Sequence, residues 1–300
     1  MKYYLSYEPQ FKAFSIEDAY VFALEQEFEI PHLELYEKGY QMIGCSVPSP
    51  DAPTVGFLLG RNLHYYSAGK NYVLALAKAG LNIRFLTYPH CEKQLQDCQG
   101  LFLPGGNFPS PESYYTDSRK KIAVGRKVTF PGVRSRAYDE CIQQALNLEI
   151  PILGVCAGAQ MVAGRFGLKM YRNQDYIETP LKHNIPKAEA HRLQVFPDTV
   201  LSRILQGRNG MYVNSRHHEL LAPVRMQKEL LATRRHTTID KVQLPLEIYA
   251  EANDGVPEAW GSEEEHILCV QWHPEDMVAN GDELMQGIFR WLALEMCQVK

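Results

Sequence analysis

Residues 151–167 read PILGVCAGAQMVAGRFG. The apolar run IPILGV (150–155) has the length and composition of a buried strand, and AGAQMVAGRFG (157–167) has those of a helix. Cys156 stands at the join. The same alternation recurs upstream: TVGFLLG (54–60) reads as a strand and NYVLALAKAG (71–80) as a helix with Gly80 just past its end. NIRFLTY (82–88) is a further strand, QGLFLPGG (99–106) a strand running into a glycine turn, and RAYDECIQQALNLE (136–149) a helix. Strands separated by helices predict βαβ units, hence an α/β fold with a mostly parallel sheet covered on both faces. LQVFPD (193–198) and HILCVQWHP (266–274) read as antiparallel additions or edges. Functional groups in such sheets collect at the carboxyl ends of the strands, which puts Gly105, Gly106 and Cys156 at one rim.

The 300 residues suit a single large α/β unit, with 45% hydrophobic and 22% charged residues giving it globular character. The net charge of −4 offers no general attraction to nucleic acid or acidic membranes. No apolar run approaches a membrane span, and MKYYLSYEPQF carries glutamate and proline where a signal peptide would be apolar, so a cytoplasmic protein is expected. Seven scattered cysteines without a CxxC pair suggest reduced thiols. Residues 1–50 are aromatic and acidic and end in a proline-rich stretch, which reads as an N-terminal extension before a catalytic unit at 51–300. That extension could cap the sheet, mediate a homodimer or cover the site.

Gly154-Val155-Cys156-Ala157-Gly158 has the form of a nucleophile elbow, in which glycines two residues either side leave room for a sharp turn. A helix N-terminus behind the sulfur supplies unpaired N–H groups and a positive dipole end, which favour a thiolate and can hold an oxyanion. Cys156 as an inert core cysteine is the competing reading. Residues 268–275, LCVQWHPE, weigh against it: an apolar strand leads to His273, and proline biases that residue to an extended conformation. Two positions apart on extended chain, His273 and Glu275 face one side, where Glu275 can fix the imidazole tautomer that takes a proton from Cys156.

On these residues the chain resembles the class I glutamine amidotransferase superfamily, most closely its stand-alone γ-glutamyl-γ-aminobutyrate hydrolase-like (peptidase C26) branch. LPGGNFPSPESYY (103–115), PILGVCAGAQ (151–160), VNSRHHELL (213–221) and DGVPEAW with CVQWHPE (254–260, 269–275) carry the resemblance, which spans about residues 53–295. It implies a flavodoxin-like three-layer α/β/α fold and a Cys156–His273–Glu275 triad. The backbone N–H groups of Gly106 and Ala157 are the implied oxyanion donors. Gly105, Gln160, Ser215, Arg216, His217 and His218 are the implied substrate-binding set. The implied reaction is hydrolysis of a γ-glutamyl amide through a thioester, with no metal or organic cofactor.

Two adjacent histidines suggest a metal at first sight. On a strand or loop His217 and His218 point apart, and no acid or histidine at ligand spacing joins them, so no metal is expected. His183 and His191 read as surface or strand-end residues. Two features depart from the family pattern. Ala157 stands where the hydrolase branch commonly has arginine, and residues 118–136 carry seven Lys/Arg with no acid among them. That segment is a solvated loop or a means of steering an anionic substrate. No P-loop or synthetase unit is visible, so a second reading is a glutaminase subunit that passes ammonia to a synthase partner. A third is a catalytically degenerate binding protein.

Overall fold

The computed structural model describes residues 3–5, 34–37, 42–44, 51–61, 66–87, 91–106, 110–116, 133–172, 181–185 and 187–298. Most of the basic segment, 117–132, lies outside them, as does most of the N-terminal extension. Three short strands of that extension, Tyr3–Leu5, Glu34–Glu37 and Met42–Gly44, form an antiparallel sheet of their own.

The main sheet has nine strands, numbered here in chain order: β1 (Thr54–Leu58), β2 (Asn82–Leu86), β3 (Gly100–Leu103), β4 (Ile152–Val155), β5 (His191–Val195), β6 (Tyr212–Val213), β7 (Glu247–Ala252), β8 (Pro257–Ser262) and β9 (Ile267–Val270). They lie in the order β6-β5-β7-β8-β9-β4-β3-β1-β2. The five from β9 to β2 are parallel, and the four on the other side run antiparallel. The expectation that HILCV would be an antiparallel edge is therefore corrected. β9 is the central strand, parallel to β4 with Cys269 opposite Gly154, and antiparallel only towards β8. A continuous apolar strand is what burial on both faces requires, and Ile267–Val270 is buried throughout.

Helices cover both faces. On one lie α1 (Lys70–Lys78) and the C-terminal α5 (Glu283–Gln298), and on the other α2 (Val133–Asn147) and α3 (Ala157–Arg165). Successive strand residues feed opposite layers, as the two-residue period demands. Leu153, Val155, Leu268 and Val270 pack towards α1 and α5, while Ile152, Ile267 and Cys269 pack towards α2 and α3. The three-layer arrangement expected from the sequence is present. The α1 helix ends where expected, with Gly80 at φ +85° just beyond it. No helix among the described residues is long and apolar enough to cross a membrane.

Candidate active site

The β4–α3 join is a strained turn. Cys156 has φ +50° and ψ −110°, a conformation that an L-residue adopts only when its surroundings impose it. Its N–H donates to the Val270 carbonyl on β9 at 2.9 Å, and its carbonyl accepts from Gln160 at 3.0 Å to open α3. Gly158 allows α3 to lie this close, since a Cβ there would overlap the Leu103 carbonyl of β3.

His273 and Glu275 come from the chain after β9. The imidazole Nδ1 lies 2.7 Å from Glu275 Oε1. The pairing arises differently from the expected extended dipeptide. Pro274 is the first residue of a short helix, α4 (Pro274–Ala279), with His273 as its N-cap, so Glu275 turns back in the first helical turn. Proline fits this position because its missing N–H would be unpaired there in any case.

Gly105 marks where these groups meet. A Cβ built on it would lie 2.8 Å from the Tyr72 hydroxyl, 3.0 Å from His273 Cε1 and 3.1 Å from Cys156 Cβ. Three side chains thus converge on one glycine backbone. Burial pulls the His273 pKa down, but Glu275 and then Cys156 outweigh it and raise it to about 10. The result is an imidazolium held between a carboxylate and a sulfur. Cys156 keeps 6% of its surface and the His273 side chain 12%, so the sulfur and ring are largely enclosed without being sealed.

Sequence reasoning missed three neighbours. Tyr72 on α1 accepts from the Gly105 N–H at 3.1 Å and lies 3.0 Å from His273 Nδ1. Burial, then the charges of Glu275 and Cys156, push its pKa well above the usual phenol value, so it keeps its proton. Tyr72 thus already occupies the Gly105 N–H. Asn214 clamps the His273 backbone from both sides, donating to its carbonyl and accepting from its N–H, each at 2.8 Å. Arg134 donates to the Gly105 carbonyl at 3.1 Å and lies over Gly106, where a Cβ would overlap its guanidinium. It belongs to the basic segment, which hinted at a cation near the site without saying which one.

The other expected binding residues are spread more widely. Gln160 is buried and its amide donates to the Glu219 carbonyl and to Gln271 Oε1, at 3.0 and 3.2 Å. Ser215 is fully buried and donates to the His183 carbonyl at 2.6 Å. Arg216 is exposed and paired with Asp276, and His218 is exposed beside Asn184. His217 does point away from His218, as expected, into the interior.

There the reading of His183 and His191 as surface or strand-end residues is corrected in part: His191 does open β5, but both are buried. His183, His191 and His217 all surround Glu258 of β8, with nitrogen to Oε1 distances of 3.1, 3.3 and 3.5 Å, and all four are at most 3% exposed. His183 and His191 are core residues, not surface ones. Their partners come from separate strands and loops, so no spacing in the sequence announces them.

The profile of the peptidase C26 family matches residues 64–275. The chain belongs to that family. Among curated sequences it is 28% identical over 179 residues to the glutamine amidotransferase-like protein YvdE of Lactococcus lactis, covering 58% of this chain and 65% of that protein. It is 28% identical over 139 residues to anthranilate synthase component 2 of Helicobacter pylori, covering 46% of this chain and 56% of that one. The chain therefore spans less than two thirds of the length of either relative. A glutamine amidotransferase of Thermotoga maritima shares its fold, with a TM-score of 0.50 at 14% identity over 81% of this chain and 97% of that chain. The sheet of this peptidase C26 member is thus flavodoxin-like.

Proposed function

We propose that this protein hydrolyses γ-glutamyl amide bonds, with Cys156 as nucleophile, His273 as acid and base, and Glu275 orienting the imidazole. The observation that carries this reading is the convergence of the Cys156 and His273 side chains on Gly105, with Glu275 on the far ring nitrogen. The Cys156 thiolate adds to the amide carbonyl. The oxyanion that forms is met by the backbone N–H groups of Gly106 and Ala157, the latter at the start of α3 where helical N–H groups lack internal partners. His273 gives its proton to the leaving nitrogen, the C–N bond breaks, and a γ-glutamyl thioester remains. His273, now neutral, takes a proton from water, the hydroxide displaces sulfur, and glutamate leaves. Gly105, Gln160, Ser215, Arg216, His217 and His218 are the substrate-binding set of this proposal, of which Arg216 and His218 are exposed. Gly105 adjoins the reacting groups, whereas Gln160, Ser215 and His217 support the pocket wall from behind.

The test is a panel of γ-glutamyl amides, polyglutamates and free glutamine assayed with the isolated chain and with Cys156→Ala. Partner-free cleavage of γ-glutamyl amides, lost in the variant, is expected. A second reading, a glutaminase subunit serving a synthase chain, is favoured by the likeness to anthranilate synthase component 2. Activity confined to glutamine and dependent on an added partner would select it. If 6-diazo-5-oxonorleucine fails to label Cys156 at all, both readings fall and a binding protein remains.

A further inference from the structure

We propose that His183, His191, His217 and Glu258 form a closed four-ligand site for a divalent cation of the zinc class, separate from the Cys156 site. One ligand atom from each of the four residues lies within 4.8 Å of the other three. Metal–ligand bonds of about 2.0–2.2 Å place the ligands of a tetrahedron about 3.3–3.6 Å apart. The distances from Glu258 Oε1 to His183 Nδ1, His191 Nε2 and His217 Nε2, at 3.1, 3.3 and 3.5 Å, fit that edge with small adjustments. The rings fan around one point: the His183 centroid lies 4.9 Å from that of His191 and 5.1 Å from that of His217, with planes inclined at 52° and 55°.

Two independent observations point to a ligand rather than a self-contained hydrogen-bond network. First, Nε2 of His191 and Nε2 of His217 are buried and approach Glu258 Oε1 at 3.3 and 3.5 Å without hydrogen-bond geometry, and Glu258 Oε2 is buried with no partner. Such orphans are rare, and each costs about 1–3 kcal/mol unless something meets it. Second, the outer nitrogens of two of the histidines are already fixed as metal-ligating histidines require. His183 Nε2 lies 3.0 Å from Asp254 Oδ2, and His217 Nδ1 donates to the Glu219 carbonyl at 2.9 Å, each turning the inner nitrogen towards Glu258 Oε1.

Charge agrees. The side chains of Glu258 and Asp254 are both fully buried. The two carboxylates carry a charge of −2, which a divalent cation with three neutral imidazoles brings to zero. Four protein ligands with no exposed face describe a structural site. It would tie β5, β8 and the 183–185 segment to His217, which follows the short strand Ser215–Arg216 and, through it, Asn214, the clamp on His273.

The experiment is metal analysis of the untagged full chain by plasma mass spectrometry, followed by chelation and titration with ZnCl2 or CoCl2. About one equivalent of zinc per chain is expected, with a raised Tm on rebinding. The cobalt form should show tetrahedral d–d bands without thiolate charge transfer. Cys156→Ser should keep its equivalent, whereas His191→Ala and Glu258→Gln should each bind at least tenfold more weakly. Circular dichroism checks their folding, and if neither folds, the wild-type stoichiometry and cobalt spectrum decide. Failure of the chelated wild type to bind zinc or cobalt, or metal lost with Cys156→Ser and kept by His191→Ala, would overturn the site. Neither result touches the hydrolase reading, which is scored on γ-glutamyl amide cleavage.

Discussion

Two regions of this protein are built from the same side chains and end in opposite states. At the rim of β4 and β9, one histidine meets one glutamate beside a cysteine that retains some exposure. At the antiparallel half of the sheet, three histidines meet one glutamate with almost no exposure. Residue type does not distinguish them. The difference lies in what each ring's inner nitrogen faces: a sulfur and a glycine turn in one case, and a shared carboxylate oxygen in the other. An imidazole aimed at an accessible nucleophile can move protons. One aimed at a closed carboxylate can only be charged or coordinated.

The sharpest way to break the comparison is to remove the sulfur's nucleophilicity. Cys156→Ser should lower kcat for γ-glutamyl amide cleavage by about 10⁴-fold or more while leaving Tm nearly unchanged. Activity within tenfold of wild type would move the chemistry elsewhere. Next comes the carboxylate. Glu275→Gln should cost on the order of 10³-fold in kcat, by analogy with neutralising the orienting acid of a triad. It also gives a pH test. The folded His273 pKa of about 10 stands above the free imidazole value of about 6.5, so its charge contributes stability fully below about 6.5 and loses that contribution as pH climbs through about 10. Without the Glu275 charge the imidazolium is less favoured. The alkaline limb of kcat/KM, where the acid for the leaving nitrogen disappears, should therefore move to lower pH. A limb that stays in place would show that Glu275 does not set the proton affinity of His273.

In the closed cluster the same type of change should act on stability and not on chemistry. Glu258→Gln removes the one carboxylate that all three histidines face, and breaking a buried ion pair costs about 3–5 kcal/mol. For a chain of this size that is a Tm lower by on the order of 10 °C, read by scanning calorimetry. The rate per folded molecule should fall far less than with Glu275→Gln. An equal loss of rate at unchanged Tm would erase the distinction between the two regions.

The sequence made one of these regions legible and hid the other, for a physical reason. Cys156 and its flanking glycines sit within five residues, and His273 and Glu275 within three, so local turn chemistry records them. The parallel core was equally visible, because strands buried on both faces are continuously apolar. What failed depended on pairing across the sheet. HILCV is apolar whether central or at an edge, and only its neighbours β4 and β8 decide. His183, His191, His217 and Glu258 reach one point from four separate segments, each unremarkable on its own. Asn214 lies inside the VNSRHHELL stretch and its role was still unreadable, since that role is two hydrogen bonds to a backbone 59 residues away.

Tyr72 offers the smallest and most discriminating change. Its hydroxyl sits where the orienting groups of the two regions differ: His183 and His217 have a single outer acceptor in hydrogen-bond contact, while His273 Nδ1 has both Glu275 at 2.7 Å and Tyr72 at 3.0 Å. Since the phenol keeps its proton and accepts from Gly105, its primary task is to fix the glycine turn, with a secondary contact to the ring. Tyr72→Phe strips the Gly105 N–H of its acceptor, which costs about 1–3 kcal/mol in stability. It leaves Glu275 in place, so kcat should fall by only about tenfold and the alkaline limb should move less than with Glu275→Gln. If Tyr72→Phe instead matches Glu275→Gln in both rate and pH profile, the tyrosine is the group that orients His273, and the glutamate serves mainly to balance its charge.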